Sequence, residues 1–588
     1  MSSSIGEAAP SEKDKKSFFK AFLAKLRKRK IIETLGAFTA GGWLILEFVH
    51  WILVDHYHFP EKTIDITFIT LVCALFCTLI WRWFSGREKP RKFKLELVLI
   101  PLALFITILL DINLILRFKE PASEAISAPQ SKNSIAVLPF VDMSPQKDQD
   151  PLCDGMAETL INMLNNVENL HVIPRTSAFS FKGKELDVRE IGRKLNVDSV
   201  LEGSMQKSGN RLRITARLVS VEEGYLLWSE QYNREEKDVF AIQDEISLAI
   251  VDKLRIKLMG EEKTLLVKRY TENLEAYNLY LKGRHFWSKT TPESLKEGIE
   301  YFQKALDKDP NYALPYAGIA DCYIILGLFY IAPKEAYPRA KEVAEKALEM
   351  DEGLAGAHSS LGLVKMLYDW DWSAAKRELK RAIELDPNYA TAHLWYSLYL
   401  TTMGMNDDSI LEGQRAQELD PISPITTWLL GTVFYYARQY DRAIEEYKKA
   451  LEIDTNNFMT HLLLGMAYIE KGAYNEAIVQ LQKGMDISER DGQSSIWRLI
   501  ISYALSGKID EMKKLFEELS KGSRQEYFSP YFIAWLYLKF GQKDKAFEWL
   551  ERAYDEHDQW IIVIKVDPKF DNLHSEPRFT ALLKKVGL

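Results

Sequence analysis

From about residue 274 onward, apolar side chains recur three and four positions apart, and the helices this predicts come in pairs that repeat about every 34 residues. Two copies align closely: "WLLGTVFYYARQYDRAIEEYKKALEID" and "LLLGMAYIEKGAYNEAIVQLQKGMDIS". In the first, Leu430, Gly431, Phe434, Ala443, Tyr447 and Ala450 alternate large and small; in the second, Leu464, Gly465, Tyr468, Ala477, Leu481 and Gly484 do the same. Small residues let two helix backbones approach, and the large ones fill the space between neighbouring pairs. Pro310, Pro387 and Pro421 close successive units, and "IWRLIISYALSGKIDEMKKLFEELSKG" is a degenerate copy. The pattern predicts about eight helix pairs over residues 274–557, stacked into a tetratricopeptide-type solenoid. Residues 558–588 leave the register and are expected to cap its end.

The front of the chain has a different pattern. Three largely apolar runs, at about 34–54, 64–84 and 95–116, each have the length of about 20 residues that crosses a bilayer as a helix. They predict three transmembrane helices within residues 31–117. Lys and Arg crowd residues 1–30 and the loop "RWFSGREKPRKFK", whereas "DHYHFPEK" carries one Lys. Positive charge stays on the cytoplasmic side, so the expected placement is a multi-pass membrane protein with a cytoplasmic N-terminus and C-terminal domains on the far side of the membrane. Asp111 and Asn113 sit in the third run; were that run to lie in the interface, the later domains would face the cytoplasm. Glu47 and His50 lie near the end of the first run, where an interfacial position suits them better than a proton relay. The segment at residues 1–30 is basic and amphipathic, with Phe18, Phe19, Phe22 and Leu23 among lysines, and is expected on the lipid bilayer.

After a linker at residues 118–132, helix and strand patterns alternate through residues 133–260. "SIAVLPFV" is a continuous apolar run of strand length, "LCDGMAETLINMLNNV" is helical, "LHVIP" is a strand and "VREIGRKLNV" a helix. "DSVLEGSMQKS" and the two runs on either side of Glu223 and Gly224 follow as strands, and "VFAIQDEISLAIVDKLRIKL" as a last amphipathic helix. The order predicts a small α/β domain with a mixed sheet. The expected fold class is thus multidomain: N-terminal transmembrane helices, the α/β domain, and an all-α solenoid.

Composition narrows the function without naming it. A formal net charge of -7 gives no general nucleic-acid-binding character, and no nucleic-acid partner is expected. Four cysteines exclude a disulfide scaffold; Cys73 and Cys77 lie one helical turn apart in an apolar run and read as packing residues. The ten histidines are scattered, and no phosphate-binding, zinc-protease or nucleophile-elbow motif occurs. No cofactor, metal or catalytic residue is therefore expected.

"SIAVLPF", "DGMAETLINML", "VIPRTSAFSFKGK", "IGRKLNVDSVLEGSMQKSGNRLRITARL" and "LLWSEQYNREEKDVFAIQDEI" resemble the TolB-like amino-terminal domain of bacterial membrane and signalling proteins, which often precedes tetratricopeptide repeats. The resemblance implies an interaction or signalling module rather than a catalyst and, joined to the membrane topology above, a bacterial inner-membrane protein with periplasmic C-terminal domains. Relatives that carry a cyclase or a winged-helix domain differ from this chain at the N-terminus, so neither activity is carried over.

Within the α/β region, Asp142, Asp148, Asp150 and Asp154 invite a calcium reading but lack EF-hand spacing, and a solvated loop capping a helix fits better. Arg175, Thr176 and Ser177 could hold an anion or simply form a turn, and Gly203 and Ser204 mark a bulge or a close approach of strands. In the repeats, the wall formed by the first helix of each pair would present Trp428, Thr432, Tyr435, Leu462, Met466 and Ile469 to a protein or peptide partner in the concave groove. The expected function is a non-catalytic, membrane-anchored scaffold or adaptor in an envelope or signalling assembly. The alternatives are a cytoplasm-facing regulatory subunit and an enzyme with its site between the α/β domain and the repeats, tested at Arg175 and Asp154.

Overall fold

The structure, a computed structural model, describes residues 133–184, 186–258, 262–490 and 529–588, all within one compact unit, Gln130–Leu588. One expectation is corrected at once. Among the described residues no helix is long and apolar enough to cross a membrane. The three runs expected to span lie outside the described residues, as do the basic segment and the linker. The multi-pass inner-membrane placement with periplasmic domains is accordingly not carried forward.

The α/β region is built on strands β1 (Ser134–Val137), β2 (Val141–Asp142), β3 (His171–Val172), β4 (Ser199–Ser208), β5 (Arg211–Ser220) and β6 (Leu226–Glu235). The sheet runs β3-β1-β4-β5-β6, with β2 paired to β4 beyond β1. Strand β1 is parallel to β3 and β4, while β4, β5 and β6 are antiparallel, so the sheet is mixed. The unbroken apolar run of β1 has a direct cause: Ile135 and Val137 enter one core and Ala136 the other, because both faces of this strand are covered. Strand β5 lies where one face is open, and its sequence alternates. Leu212, Ile214, Ala216 and Leu218 are buried, and Arg211, Arg213 and Arg217 are exposed.

Helices α1 (Asp150–Leu164) and α4 (Val239–Lys253) contribute Met156, Leu160, Ile242 and Ile246 to the larger core, and α3 (Val188–Leu195) contributes Ile191 and Leu195 to the smaller. A short helix, α2 (Arg175–Phe179), stands where the sequence suggests a loop. At Gly203 the strands keep register without a bulge; a Cβ there would lie 2.3 Å from the Phe140 ring, so the glycine admits that ring against the sheet.

The C-terminal region is a stack of antiparallel helix pairs. They are α5 (Leu274–Trp287) with α6 (Pro292–Lys308), α7 (Ala313–Phe329) with α8 (Pro333–Met350), α9 (Ala355–Val364) with α10 (Trp372–Leu385), and α11 (Ala390–Met403) with α12 (Asn406–Leu419). Next come α13 (Pro424–Tyr436) with α14 (Tyr440–Ile453), α15 (Phe458–Glu470) with α16 (Tyr474–Arg490), and α17 (Pro530–Lys539) with α18 (Lys543–Asp555). The degenerate copy falls wholly in residues 491–528, outside the described ones. At Gly431 a Cβ would meet the Tyr447 ring at 2.7 Å, and at Gly465 the Leu481 side chain at 2.7 Å, which is why each large residue faces a glycine within its pair.

The turns between pairs also repeat. Asp309, Asp386 and Asp454 each accept a hydrogen bond from the backbone N–H two residues on, at Asn311, Asn388 and Asn456.

The tail after α18 does more than close the last pair. It folds through two tight turns, Gln559–Val563 and Pro568–Leu573, into α19 (Pro577–Val586). Gln559 meets the Tyr337 hydroxyl and donates to the Leu328 carbonyl, Trp372 donates to the Val586 carbonyl at 2.9 Å, and Arg438 pairs with Asp571 at 2.7 Å. The segment therefore laces together the end of α7, the start of α10 and the turn after α13 along one edge of the array. Ile561, Ile564, Phe570 and Phe579 are fully buried in the core of the array.

Candidate functional site

The six residues expected to line a partner groove are mostly covered. Thr432, Tyr435, Leu462, Met466 and Ile469 are buried, and Trp428 is half-buried against two apolar clusters. Thr432 donates to the Trp428 carbonyl at 3.0 Å and lies 3.2 Å from the Tyr447 hydroxyl, while the Lys569 ammonium of the tail sits 5.4 Å from the Tyr435 ring. The helix register puts these side chains on one apolar face, and the neighbouring helices and the tail then cover it. In the same place Lys569 and Asp567, both buried, form an ion pair at 2.7 Å, and the Tyr531 hydroxyl donates to Asp567 at 2.7 Å.

Charged residues instead gather where the α/β region meets the repeats. Helix α1 lies against α5, and its glycine, Gly155, has Leu281 of α5 against it: a Cβ there would fall 2.3 Å away. This close approach brings Glu158 between two arginines, Arg284 at 2.6 Å and Arg175 at 3.0 Å. Each guanidinium also lies over an aromatic ring, Arg284 at 4.1 Å from Trp287 and Arg175 at 4.2 Å from Phe179. Arg284 reaches Asp321 of α7 at 3.6 Å, and Asp321 accepts from the Ser360 hydroxyl of α9 at 2.8 Å. One turn before Glu158, Asp154 is paired with Lys182 at 2.7 Å and lies 3.5 Å from His285.

Burial and neighbouring charge set the proton affinities. Burial raises the Asp321 carboxyl despite Arg284. Burial also acts to raise Asp154, but hydrogen bonding from His285 and Lys182 outweighs it and leaves the carboxyl below its usual range. Burial lowers Arg175, against the attraction of Glu158. Opposite charges are matched nearly one for one, so the cluster has the character of a joint between domains.

A second tie lies further along the array. The Asp420 carboxylate accepts from Ser177 N at 3.1 Å and from the Ser177 hydroxyl at 2.5 Å, and Ile422 N donates to Ser177 Oγ at 2.8 Å. Asp420 occupies the turn position that Asp386 and Asp454 use to cap their own loops. Here the carboxylate grips the α/β region instead. Burial pushes it up to about 6 against the hydrogen bonds it accepts.

The other residues singled out from the sequence separate. Asp142 accepts from Ser144 N and Gln149 N at 2.8 Å each, Asp148 from the Gln149 side chain at 2.7 Å, and Asp150 is exposed at the start of α1. They do not converge, and among the described residues no group of three or more metal-binding side chains occurs. Arg175 and Ser177 do face the repeats, though toward different parts of them, and Cys153 and Cys322 are buried free thiols.

Comparison with known proteins divides the chain in the same way. Residues 131–249 match the family "HilA/YgeH-like transcriptional regulator, second domain", residues 431–472 a TPR repeat family, and residues 460–491 and 531–556 a tetratricopeptide repeat family. The C-terminal region thus carries tetratricopeptide repeats; a TolB-like domain is not what these matches show. A Rhizobium meliloti (strain 1021) protein provisionally named adenylate cyclase 3 is 34% identical over 252 residues, 42% of this chain and 43% of that protein. Transcriptional regulator HilA of Salmonella typhimurium is 26% identical over 251 residues, 41% of this chain and 43% of that protein. The chain spans less than half the length of these curated relatives. Among solved structures, the tetratricopeptide protein YrrB is 22% identical and covers 32% of this chain and 94% of its own, with a TM-score of 0.23. The tetratricopeptide protein TTC0263 of Thermus thermophilus is 19% identical and covers 33% of this chain and 99% of its own, with a TM-score of 0.29.

Proposed function

We propose that this protein is a non-catalytic scaffold or adaptor that recognises other proteins through its tetratricopeptide array, with the α/β region locked onto the array as part of the same body. The observation that carries this reading is the joint around Glu158. Its arginines and carboxylates neutralise one another, which suits a fixed arrangement of two domains better than a reaction centre. Stacked helix pairs, in turn, offer a long surface that a partner polypeptide can follow. The names of the two relatives, a transcriptional regulator and a cyclase, support a regulatory setting. Neither activity is assigned to this chain, because it spans less than half of either relative.

The test is site-specific photocrosslinking in cells from Leu411 on α12 and, as a control, from Val141 in the α/β region, combined with assay of the purified chain for nucleotide cyclisation. The expected result is a discrete protein adduct from Leu411 and no turnover. Turnover by the purified chain, or no adduct from several positions along the array, overturns the reading.

A further inference from the structure

The chain's own tail is buried against the array and the α/β region is tied to it at Glu158 and Ser177, so a partner is left the surface that they do not cover. A cavity of about 380 Å³ opens between α10 and α12, the second helices of two successive pairs, with α11 as its floor. Its lining combines two kinds of chemistry. Tyr396 and Leu400 of α11, with Ile383 of α10 and the 53%-exposed Leu411 of α12, supply apolar surface. Glu384, Asp408 and Glu412 supply three carboxylates against the single ammonium of Lys380.

The carboxylates differ in how far they are already engaged. Glu412 is held by His393 at 2.6 Å and Glu384 by Arg381 at 3.3 Å. Asp408 makes no hydrogen bond or ion pair among the described residues, and its charge is felt by the Tyr396 hydroxyl. The ring of Tyr396 is already visited by a cation, since the Lys380 ammonium lies 5.9 Å from its centroid. An aromatic face flanked by excess negative charge attracts ammonium and guanidinium groups, and the attraction strengthens as water is displaced. Leu411, more than half exposed at the rim, adds an apolar contact that a free cation in solution would not use.

We propose that this cavity is a docking site for a polypeptide segment that carries an arginine or lysine next to an aliphatic side chain, with the cation set between Tyr396 and Asp408 and the aliphatic group on Leu411. The proposal rests on the reading of the array as a protein-binding surface and narrows it to a position and a partner chemistry. Lys380 acts as an internal competitor for the same ring, so its removal strengthens binding.

The experiment uses the purified full chain and two fluorescein-labelled peptides, one alternating leucine with arginine and one with glutamate in place of each arginine, read by fluorescence anisotropy. The arginine peptide is expected to bind and the glutamate peptide not to bind. Asp408→Lys weakens the arginine peptide by about tenfold or more, and Lys380→Ala tightens it by a few fold. Both positions are exposed, Lys380 touching its neighbour helix only through its ammonium over Tyr396, and unchanged circular dichroism of each variant establishes that it folds.

Equal binding of the two peptides, or an arginine peptide insensitive to both substitutions, overturns the proposal. So does concentration-dependent self-association of the chain that Asp408→Lys abolishes, which gives the surface to a second copy. If the peptide results fail while photocrosslinking from elsewhere on the array still yields an adduct, only this site is wrong. If both fail, the scaffold reading falls with it.

Discussion

His393 Nδ1 lies 2.6 Å from the Glu412 carboxylate, while its Nε2 lies 3.0 Å from the carbonyl of Pro387, six residues back. One imidazole thereby joins the two helices of a pair and the turn that precedes them. The arrangement recurs at His358 with Glu378 and the Glu352 carbonyl, and at His461 with Gln480 and the Thr455 carbonyl. A buried ring with both nitrogens engaged leaves a polar partner stranded when it is removed. His393→Leu should lower the unfolding free energy by about 1–3 kcal/mol, read as a shift in the urea midpoint with an unchanged slope.

Burial of Asp420 at its contact with Ser177 makes the docking of the α/β region depend on pH, against the hydrogen bonds from Ser177, which hold the carboxyl down. The Asp420 carboxyl sits at about 6, above its ordinary 3.8, so the folded state holds this proton more tightly than the unfolded chain. Its stabilising contribution is complete below about pH 4 and fades as the pH rises through about 6. Asp420→Asn should therefore gain in stability relative to wild type at pH 7.5 and lose that advantage at pH 4.5. Asp558, also raised to about 6 by burial, contributes in the same direction and remains in the variant, so the pH dependence shrinks without disappearing. Thermal unfolding of both proteins across this range is the measurement. A constant difference between them would refute the assignment.

Glu158 is the hinge pin of the domain joint. Glu158→Ala leaves Arg175 and Arg284 close together without a counter-charge, and removing one partner of such a buried group costs about 3–5 kcal/mol. Limited proteolysis should then cut between the α/β region and the first helix pair, near residues 255–270, before it attacks the repeats. Protection equal to wild type would show that the apolar contact of α1 with α5 suffices alone.

Two opposing effects meet at Gly431. Replacement by Ala gains about 1 kcal/mol in helix propensity. The added methyl group, 2.7 Å from Tyr447 in the undisturbed geometry, forces a repacking that costs about 1–3 kcal/mol. The expected net result is destabilisation, checked by the thermal midpoint, with Tyr447→Leu in the same chain restoring part of the loss.

Much of this architecture is written in short-range pattern. The run at β1 and the alternation in β5 report how many faces of each strand are covered, and the spacing of Gly431 from Gly465 reports the stacking of pairs. What the pattern does not report is the cover supplied from far away in sequence. Tyr435 falls on an apolar face on any helical wheel, yet whether a partner or the chain itself lies over its ring depends on Lys569, which comes from a tail far later in the sequence. Helix α2, at five residues, is too short to show a period, so Arg175 and Ser177 read as a turn. Three of the histidines do carry a signal in the sequence: His358, His393 and His461 keep the spacing of the repeats, which sets them apart from the others. Asp420 carries none, because its sequence context matches turns in which the same residue does only local work.

A stack of helix pairs held solely by nearest neighbours behaves as a spring, free to change pitch and to fray one coil at a time. The tail of this protein stitches Leu328, Trp372 and Arg438 along one side. Such a lacing converts the spring into a splinted rod, whose coils must open together, so single-molecule extension should show one large rupture where an unlaced array would give a staircase.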